Sequence, residues 1–240
     1  MLKVKWGMCA IGVMGLSTVS VSQSAPPMSD DFNDGELRSD WQIITQDATT
    51  WYEESGGKLN VGGSAGATGE LVLRQDSELG PVGSIQIDYD WSSCDDHKAR
   101  VGIGLFDDYS NDSNGFFIKG VVHDYNGRDH TIDCNSFVNG DAGDYHYAEN
   151  APRTGSLLIE RDHDHFRLCY MQGGGWQCLF EGDFDFAGVP LSPHLFTSNS
   201  NWNPNWEVAL DNFNVVPEPT TFTLLACMAA GAATRRRRHS

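Results

Sequence analysis

Basic residues, long apolar runs and helical periodicity are what this sequence has least of. Sixteen Lys and Arg stand against 33 Asp and Glu in 240 residues, a formal net charge of −17. A surface this acidic repels nucleic acid and anionic lipid and favours cations or neutral partners. No window longer than about ten residues keeps a 3.6 period, which argues against a helical fold. No Cys-x-x-Cys pair suggests a cysteine-liganded zinc site, no Gly-x-Ser-x-Gly elbow suggests a serine hydrolase, and no internal repeat is present.

The two ends differ from the middle. Lys3 and Lys5 precede an apolar stretch, Gly7 to Val21, and small Ser22 and Ser24 follow it. This is the pattern of a secretory signal peptide over 1–24, cleaved after Ser24 rather than after Ala25, where Pro26 would sit at the scissile bond. An uncleaved first transmembrane helix is the alternative, but the run is short and rich in Gly and Ser. At the other end, Val216-Pro217-Glu218-Pro219-Thr220 is followed by an apolar segment, 221–234, and by four arginines, 235–238. The prolines fix φ and remove two backbone donors, so regular structure is expected to stop there. The apolar segment is shorter than the roughly 17–25 residues of a stable transmembrane helix, and the arginines hold it on the cytoplasmic side. Together these three parts resemble the PEP-CTERM sorting signal of Gram-negative and related environmental bacteria. The resemblance implies that an exosortase-type membrane protease acts at Pro217, Glu218 and Pro219, removes the tail over 216–240, and releases or re-attaches the protein outside the inner membrane. It also implies company with exopolysaccharide and biofilm. A plain C-terminal membrane anchor remains the other reading. In either case the membrane is met only through the tail.

Between the two signals lies one domain, 25–215. Without the two leader lysines, the four tail arginines and Glu218, ten basic residues face 32 acidic ones, a net charge near −22. Solubility alone accounts for most of these carboxylates. Four cysteines remain in the domain, Cys94, Cys134, Cys169 and Cys178, an even number for an oxidising compartment, so two disulfides are expected. A two-residue turn at Gly173-Gly174 in the segment 166–180 puts Cys169 opposite Cys178, in a non-hydrogen-bonded pair where strands approach most closely. Elimination leaves Cys94–Cys134.

The body alternates with period two. In Gly83 to Trp91, residues Ile85, Ile87, Tyr89 and Trp91 share one face; 100–106, 115–122, 156–161 and 206–215 read as further strands. Strands separated by Gly, Asn and Asp turns predict an all-β sandwich or jelly roll. The opening Asp30-Asp31-Phe32-Asn33-Asp34-Gly35, Trp41, the segment 57–61, the strand Gly102-Ile-Gly-Leu-Phe106 and the closing 208–215 are similar to concanavalin-like, laminin-G-like jelly-roll domains. That resemblance implies that the first and last strands lie side by side with Phe32 and Phe213 pointing inward. It also implies a role in binding glycans or glycoproteins, or in hydrolysing polysaccharides or modified disaccharides. Fold does not choose among these.

Several groups invite chemistry. Glycoside hydrolysis needs two carboxylates flanking the bond, and Glu181 and Asp183 share a strand face; Asp88 and Asp90 do the same, and a solvated acidic face explains both. His163 and His165 offer two metal-ligand nitrogens, although they sit at an expected turn. Calcium takes six to eight oxygens, and 107–115 is dense in them, with Asp107, Asp112 and Asn114 as ligands. Asp31, with Asp30 and Asp34, meets Asp211 and Asn212 if the termini pair. Asx turns at hairpin ends are the alternative for both sets. For sugar, aromatic rings beside fixed amides are the useful mixture: Trp202, Asn203 and Asn205 in the loop 198–206, and Tyr125, with 144–147 adding rings. The resulting expectation is an exported cell-surface or extracellular domain that binds exopolysaccharide or another glycan without catalysis. A jelly-roll hydrolase using Glu181 and Asp183, and an acidic structural matrix protein, are the alternatives. Intact-mass analysis of protein from an exosortase-bearing host should show a species starting near Ala25 and ending near Pro217; a retained tail would show that Pro-Glu-Pro is only a linker.

Overall fold

A computed structural model describes residues 28–63, 69–91, 99–108, 114–123, 129–143, 145–184, 189–199 and 206–217. The leader and residues 218–240, with Glu218 and Pro219, lie outside these, as do Cys94, Asp112, Tyr125, Trp202, Asn203 and Asn205. Every named element is a strand: β1 (Trp41–Gln46), β2 (Thr50–Ser55), β3 (Lys58–Gly63), β4 (Gly69–Gln75), β5 (Val82–Asp90), β6 (Ala99–Phe106), β7 (Gly115–His123), β8 (Asp129–Val138), β9 (Asp141–Ala142), β10 (His146–Ala148), β11 (Thr154–Asp162), β12 (His165–Gln172), β13 (Gly175–Asp183), β14 (Ser192–Asn199) and β15 (Trp206–Pro217).

They form two antiparallel sheets packed face to face, the sandwich that alternation predicts. One has eight strands in the order β1-β4-β14-β6-β7-β8-β10, with β9 beside β8; the other has seven, β13-β12-β11-β5-β15-β3-β2. Ile85, Ile87, Tyr89 and Trp91 are all buried, as their spacing requires. They meet Val101, Ile103 and Leu105 of β6 and Leu157 and Ile159 of β11 in one continuous core. Gly120 of β7 makes room for the largest of these side chains, because a Cβ there would overlap the Trp91 ring.

The chain ends meet as the jelly-roll resemblance implies. Asp30 bridges Phe213, its N–H donating to the Phe213 carbonyl at 2.7 Å. Its carboxylate accepts the Phe32 N–H at 3.0 Å and the Trp41 indole N–H at 2.9 Å. Phe32 and Phe213 are both buried, and the Trp41 ring bridges them, with its centroid 6.4 Å from Phe32 and 5.0 Å from Phe213.

Three details differ from, or refine, the sequence reading. First, the last strand runs past residue 215: Val216 and Pro217 still pair with Ser84 and Gly83. Proline is tolerated at a strand end, where no further ladder bond is needed. Second, Gly173 and Gly174 take φ of 61° and 81°, the two positive values a tight hairpin turn demands. Cys169 and Cys178 then face each other, disulfide-bonded with Cα atoms 3.9 Å apart. Third, Cys134 is a free thiol rather than the partner of Cys94. It is only 1% exposed because β8 alternation turns it into the core beside Ile118, and burial pushes its pKa up to about 12.

Gly120→Ala should lower stability by roughly 1–3 kcal/mol by overpacking against Trp91. Gly175→Ala, where nothing lies within 4 Å of the added methyl, should leave the urea midpoint unchanged. Equal midpoints for the two variants would contradict this packing.

Candidate ligand-binding face

The outer face of the eight-stranded sheet, turned away from the core, is set row by row by strand register. One row reads Val72, Phe196, Gly102, Lys119, Asp133, Tyr147 across β4, β14, β6, β7, β8 and β10. A second reads Glu70, Ser198, Arg100, Val121, Thr131, and a third Arg74, His194, Gly104, Phe117, Asn135. Val72, His194 and Thr131 are fully buried although they point out of the sandwich. The centre of the outer face is therefore only partly solvated.

Glycines in the central strand make this packing possible. With no side chain at Gly102, the Phe196 ring and the Lys119 stem lie over β6; a Cβ there would come within 2.5 Å and 2.6 Å of them. Phe106 covers Gly104 in the same way. Phe117 packs against Phe196 and Phe137, each with ring centroids 5.7 Å away. At the margin, Tyr145 and Tyr147 stand 47% and 44% exposed, with ring centroids 5.9 Å apart and planes inclined by 30°.

Charge sits around this aromatic floor. The Lys119 ammonium lies 4.3 Å from the Phe117 ring centroid, a cation–π contact. Burial, and then the neighbouring Arg100 charge, lower its pKa to about 8, against the opposing pull of Asp133. Burial holds His194 near 4, despite the hydrogen bond from its Nδ1–H to the Ser192 carbonyl at 2.9 Å, so it is neutral at pH 7. Glu70 is raised by burial and by Asp47, with Arg100 opposing. The Asp133 Oδ1, Arg74 Nε, Arg100 Nε and Thr131 Oγ1 atoms are buried without a hydrogen bond.

Tyr125, Trp202, Asn203 and Asn205 lie outside the described residues, but the strands around them converge. Asn199, the last residue of β14, pairs with Ala99, the first of β6, and Arg100 pairs with Val121 near the end of β7. His123 and Asn199, the last described residues before these positions, therefore both stand at the end of the sheet that carries Arg100. Neither Arg100, Lys119 nor Asp133 stands out in the sequence, since each is a single polar residue in a separate strand.

Glu181 and Asp183 are brought together, but on the other sheet. A bulge at Leu179 shifts the pairing beyond the disulfide, so that Leu168 meets Phe180. Without it, alternation from Cys178 would turn Glu181 into the core. With it, Glu181 and Asp183 face solvent at an edge strand, their side chains 58% and 81% exposed. His165 Nδ1 lies 2.7 Å from Asp183 and Nε2 3.5 Å from Glu181, while Arg167 Nε lies 3.5 Å from Glu181. Hydrogen bonding to Asp183 chiefly, then to Glu181, raises the His165 pKa. His163 is exposed, at a turn, and contacts only the neighbouring Asp162 carboxylate among the described ion pairs.

The oxygen-rich sets proposed for calcium are engaged in hydrogen bonds. Asp107 accepts from the Asp108 N–H at 2.6 Å and from both the N–H and side-chain amide of Asn114 at 2.8 Å; Asn114 Oδ1 accepts from the Asn139 N–H at 2.9 Å. At the joined chain ends, Asp31, Asp34, Asp88 and Asn212 line a groove of about 660 Å³. A second groove of about 310 Å³, lined by Asp88, Asp90, Asp211 and Lys58, adjoins it through Asp88. Asp88 accepts from Ser156 Oγ at 2.5 Å and from the Asn212 amide at 2.9 Å. Asp211 is raised mainly by burial, with Asp88 and Asp31 adding to the rise, so these carboxylates are near neighbours as the pairing of the ends implies. Among the described residues no three His, Cys, Asp or Glu side chains converge as metal ligands.

No protein-family model matches the chain, and no curated protein matches it in sequence. Solved structures do match in fold. The chain is similar to the xyloglucan PUL GH43B protein of Bacteroides ovatus (14% identity, TM-score 0.57), covering 79% of this chain and 39% of that one. A legume lectin-like domain from Entamoeba histolytica matches at 10% identity and TM-score 0.58, covering 75% and 90% of the two chains. A pseudo β-1,3-glucanase and immunostimulatory antigen of Mycobacterium tuberculosis matches at 9% and 0.59, covering 80% and 99%. At these identities the likeness shows the fold alone, a two-sheet antiparallel β-sandwich.

Asp183→Asn should bring the His165 titration down toward the ordinary histidine value of about 6.5, read by NMR. An unchanged His165 titration would show that the Asp183 contact does not form in solution.

Proposed function

We propose that this protein is an exported surface or extracellular domain that binds glycan without catalysis, through the outer face of its eight-stranded sheet. The observation that carries the reading is the exposed Tyr145–Tyr147 pair beside Asp133 and Lys119 in the row of Tyr147 and Arg100 in the next row. Flat rings at a margin, with fixed polar groups whose hydrogen-bonding capacity is unused, are what sugar recognition requires. The lectin-like and glucanase-like folds among the structural neighbours agree with it. Export, exosortase processing at Pro217, Glu218 and Pro219, and a polysaccharide of the matrix as partner rest on the two terminal sequence signals.

Binding rather than hydrolysis is favoured by where the carboxylates lie. Glu181 and Asp183 stand exposed at an edge and compensated by His165 and Arg167, whereas an acid catalyst works with a raised pKa in an enclosed site. A glycan array with the mature domain should give binding without turnover. Tyr147→Ala should weaken it about tenfold, the loss expected of an aromatic anchor. Reducing sugar released from any bound polysaccharide, and lost in Glu181→Ala, would instead establish the hydrolase.

A further inference from the structure

Eight of the domain's ten basic residues are described, and they divide sharply. Arg38 pairs with Asp40, Lys58 with Asp90 and Arg167 with Glu160. Arg161 donates to the Leu79 and His163 carbonyls, and Arg153 to His130. The other three, Arg74, Arg100 and Lys119, form no ion pair or hydrogen bond among the described residues, and all three lie on the outer face of the eight-stranded sheet. They are partly buried there, and the Nε atoms of both arginines have lost water without gaining a partner. Unpaired cations in a half-dry site are costly. In a domain near −22, carboxylates to neutralise them are abundant, yet none of the described ones comes within ion-pairing distance: Asp133 and Glu70 lie in the rows of the face, and Asp47, Asp107 and Asp108 are close enough to act on Glu70 and His194 there.

We propose that the glycan taken by this face is anionic, a polysaccharide bearing carboxylate or sulfate groups that sit against Arg100 and Lys119, with Arg74 reaching a further charge along the chain. This rests on the glycan-binding reading and narrows it. Arg100 and Lys119 occupy adjacent strands and successive rows, close enough for each to feel the other's charge. Arg74 lies three strands from Lys119, roughly 14 Å at ordinary strand spacing. The guanidinium forks suit bidentate hydrogen bonds to carboxylate or sulfate, and Tyr145 and Tyr147 offer ring faces to the sugar beside them. The overall acidity opposes a polyanion at long range, so affinity should rise with added salt until the local contacts are themselves screened.

The test compares dextran, dextran sulfate and polygalacturonate by calorimetry on the mature domain, with Arg100→Gln, Lys119→Gln and, on the opposite sheet, Lys58→Gln; circular dichroism establishes that each variant is folded. One or both anionic polymers should bind at least tenfold more tightly than dextran, with Arg100→Gln and Lys119→Gln each losing about tenfold and Lys58→Gln nothing. Which anionic polymer binds separates a carboxylate from a sulfate ligand. Raising the pH from 7 to 9 should also weaken binding up to about tenfold, because Lys119, faced by Arg100 from β6 and Asp133 from β8, loses its proton near 8. Equal binding of dextran, or anion binding that Arg100→Gln and Lys119→Gln leave intact, would overturn the charge assignment while leaving glycan binding standing. No binding by any glycan would overturn both.

Discussion

Both faces of the eight-stranded sheet depend on one exchange, a glycine in a strand for an aromatic ring that takes its space. Inside the sandwich, Gly120 gives the space that the Trp91 ring fills. Outside it, Gly102 and Gly104 let Phe196 and Phe106 lie flat across the central strand. Glycine in a strand sacrifices packing and backbone entropy, and here the rings that fill the space restore the contact. The consequence reaches beyond stability. A central strand with glycine at the outward positions 102 and 104 turns that part of the outer surface into an aromatic floor, with Arg100 and the polar residues of β7 and β8 beside it.

The two outer faces treat charge in opposite ways. On the seven-stranded sheet, basic and acidic residues alternate across strands, with Arg167 between Glu160 and Glu181 and His165 between Glu181 and Asp183. These exposed pairs contribute little to stability. Even the acidic groove at the joined chain ends is internally hydrogen-bonded through Asp88, Ser156 and Asn212. On the eight-stranded sheet Arg74, Arg100 and Lys119 form no ion pair among the described residues, and Asp133 and the Phe117 ring only partly offset the Lys119 charge.

Much of the fold was legible because burial follows period two. Ile85, Ile87, Tyr89 and Trp91 declare one buried face, and Gly173-Gly174 sets the register that joins Cys169 to Cys178. The Phe32 and Phe213 positions followed from family likeness rather than from pattern. What escaped depended on single-residue events or on distant strands. The Leu179 bulge, which no local motif announces, is what puts Glu181 and Asp183 on the solvated face that the sequence reading gave them. Elimination paired Cys134 with Cys94, whereas Cys134 is a free, buried thiol and Cys94 lies outside the described residues. The proposed ligand face was invisible because Arg100, Lys119 and Asp133 come from three strands and meet only through register. Net charge hid it further, since a total says nothing of where the few cations are.

The most direct measurement is amide NMR shift mapping of the mature domain during titration with a bound glycan. Perturbations should concentrate on β6, β7, β8 and β10, centred on Arg100, Lys119, Asp133 and Tyr147. Perturbations confined to β12 and β13, around His165, Glu181 and Asp183, would contradict the placement of the site and move it to the opposite face.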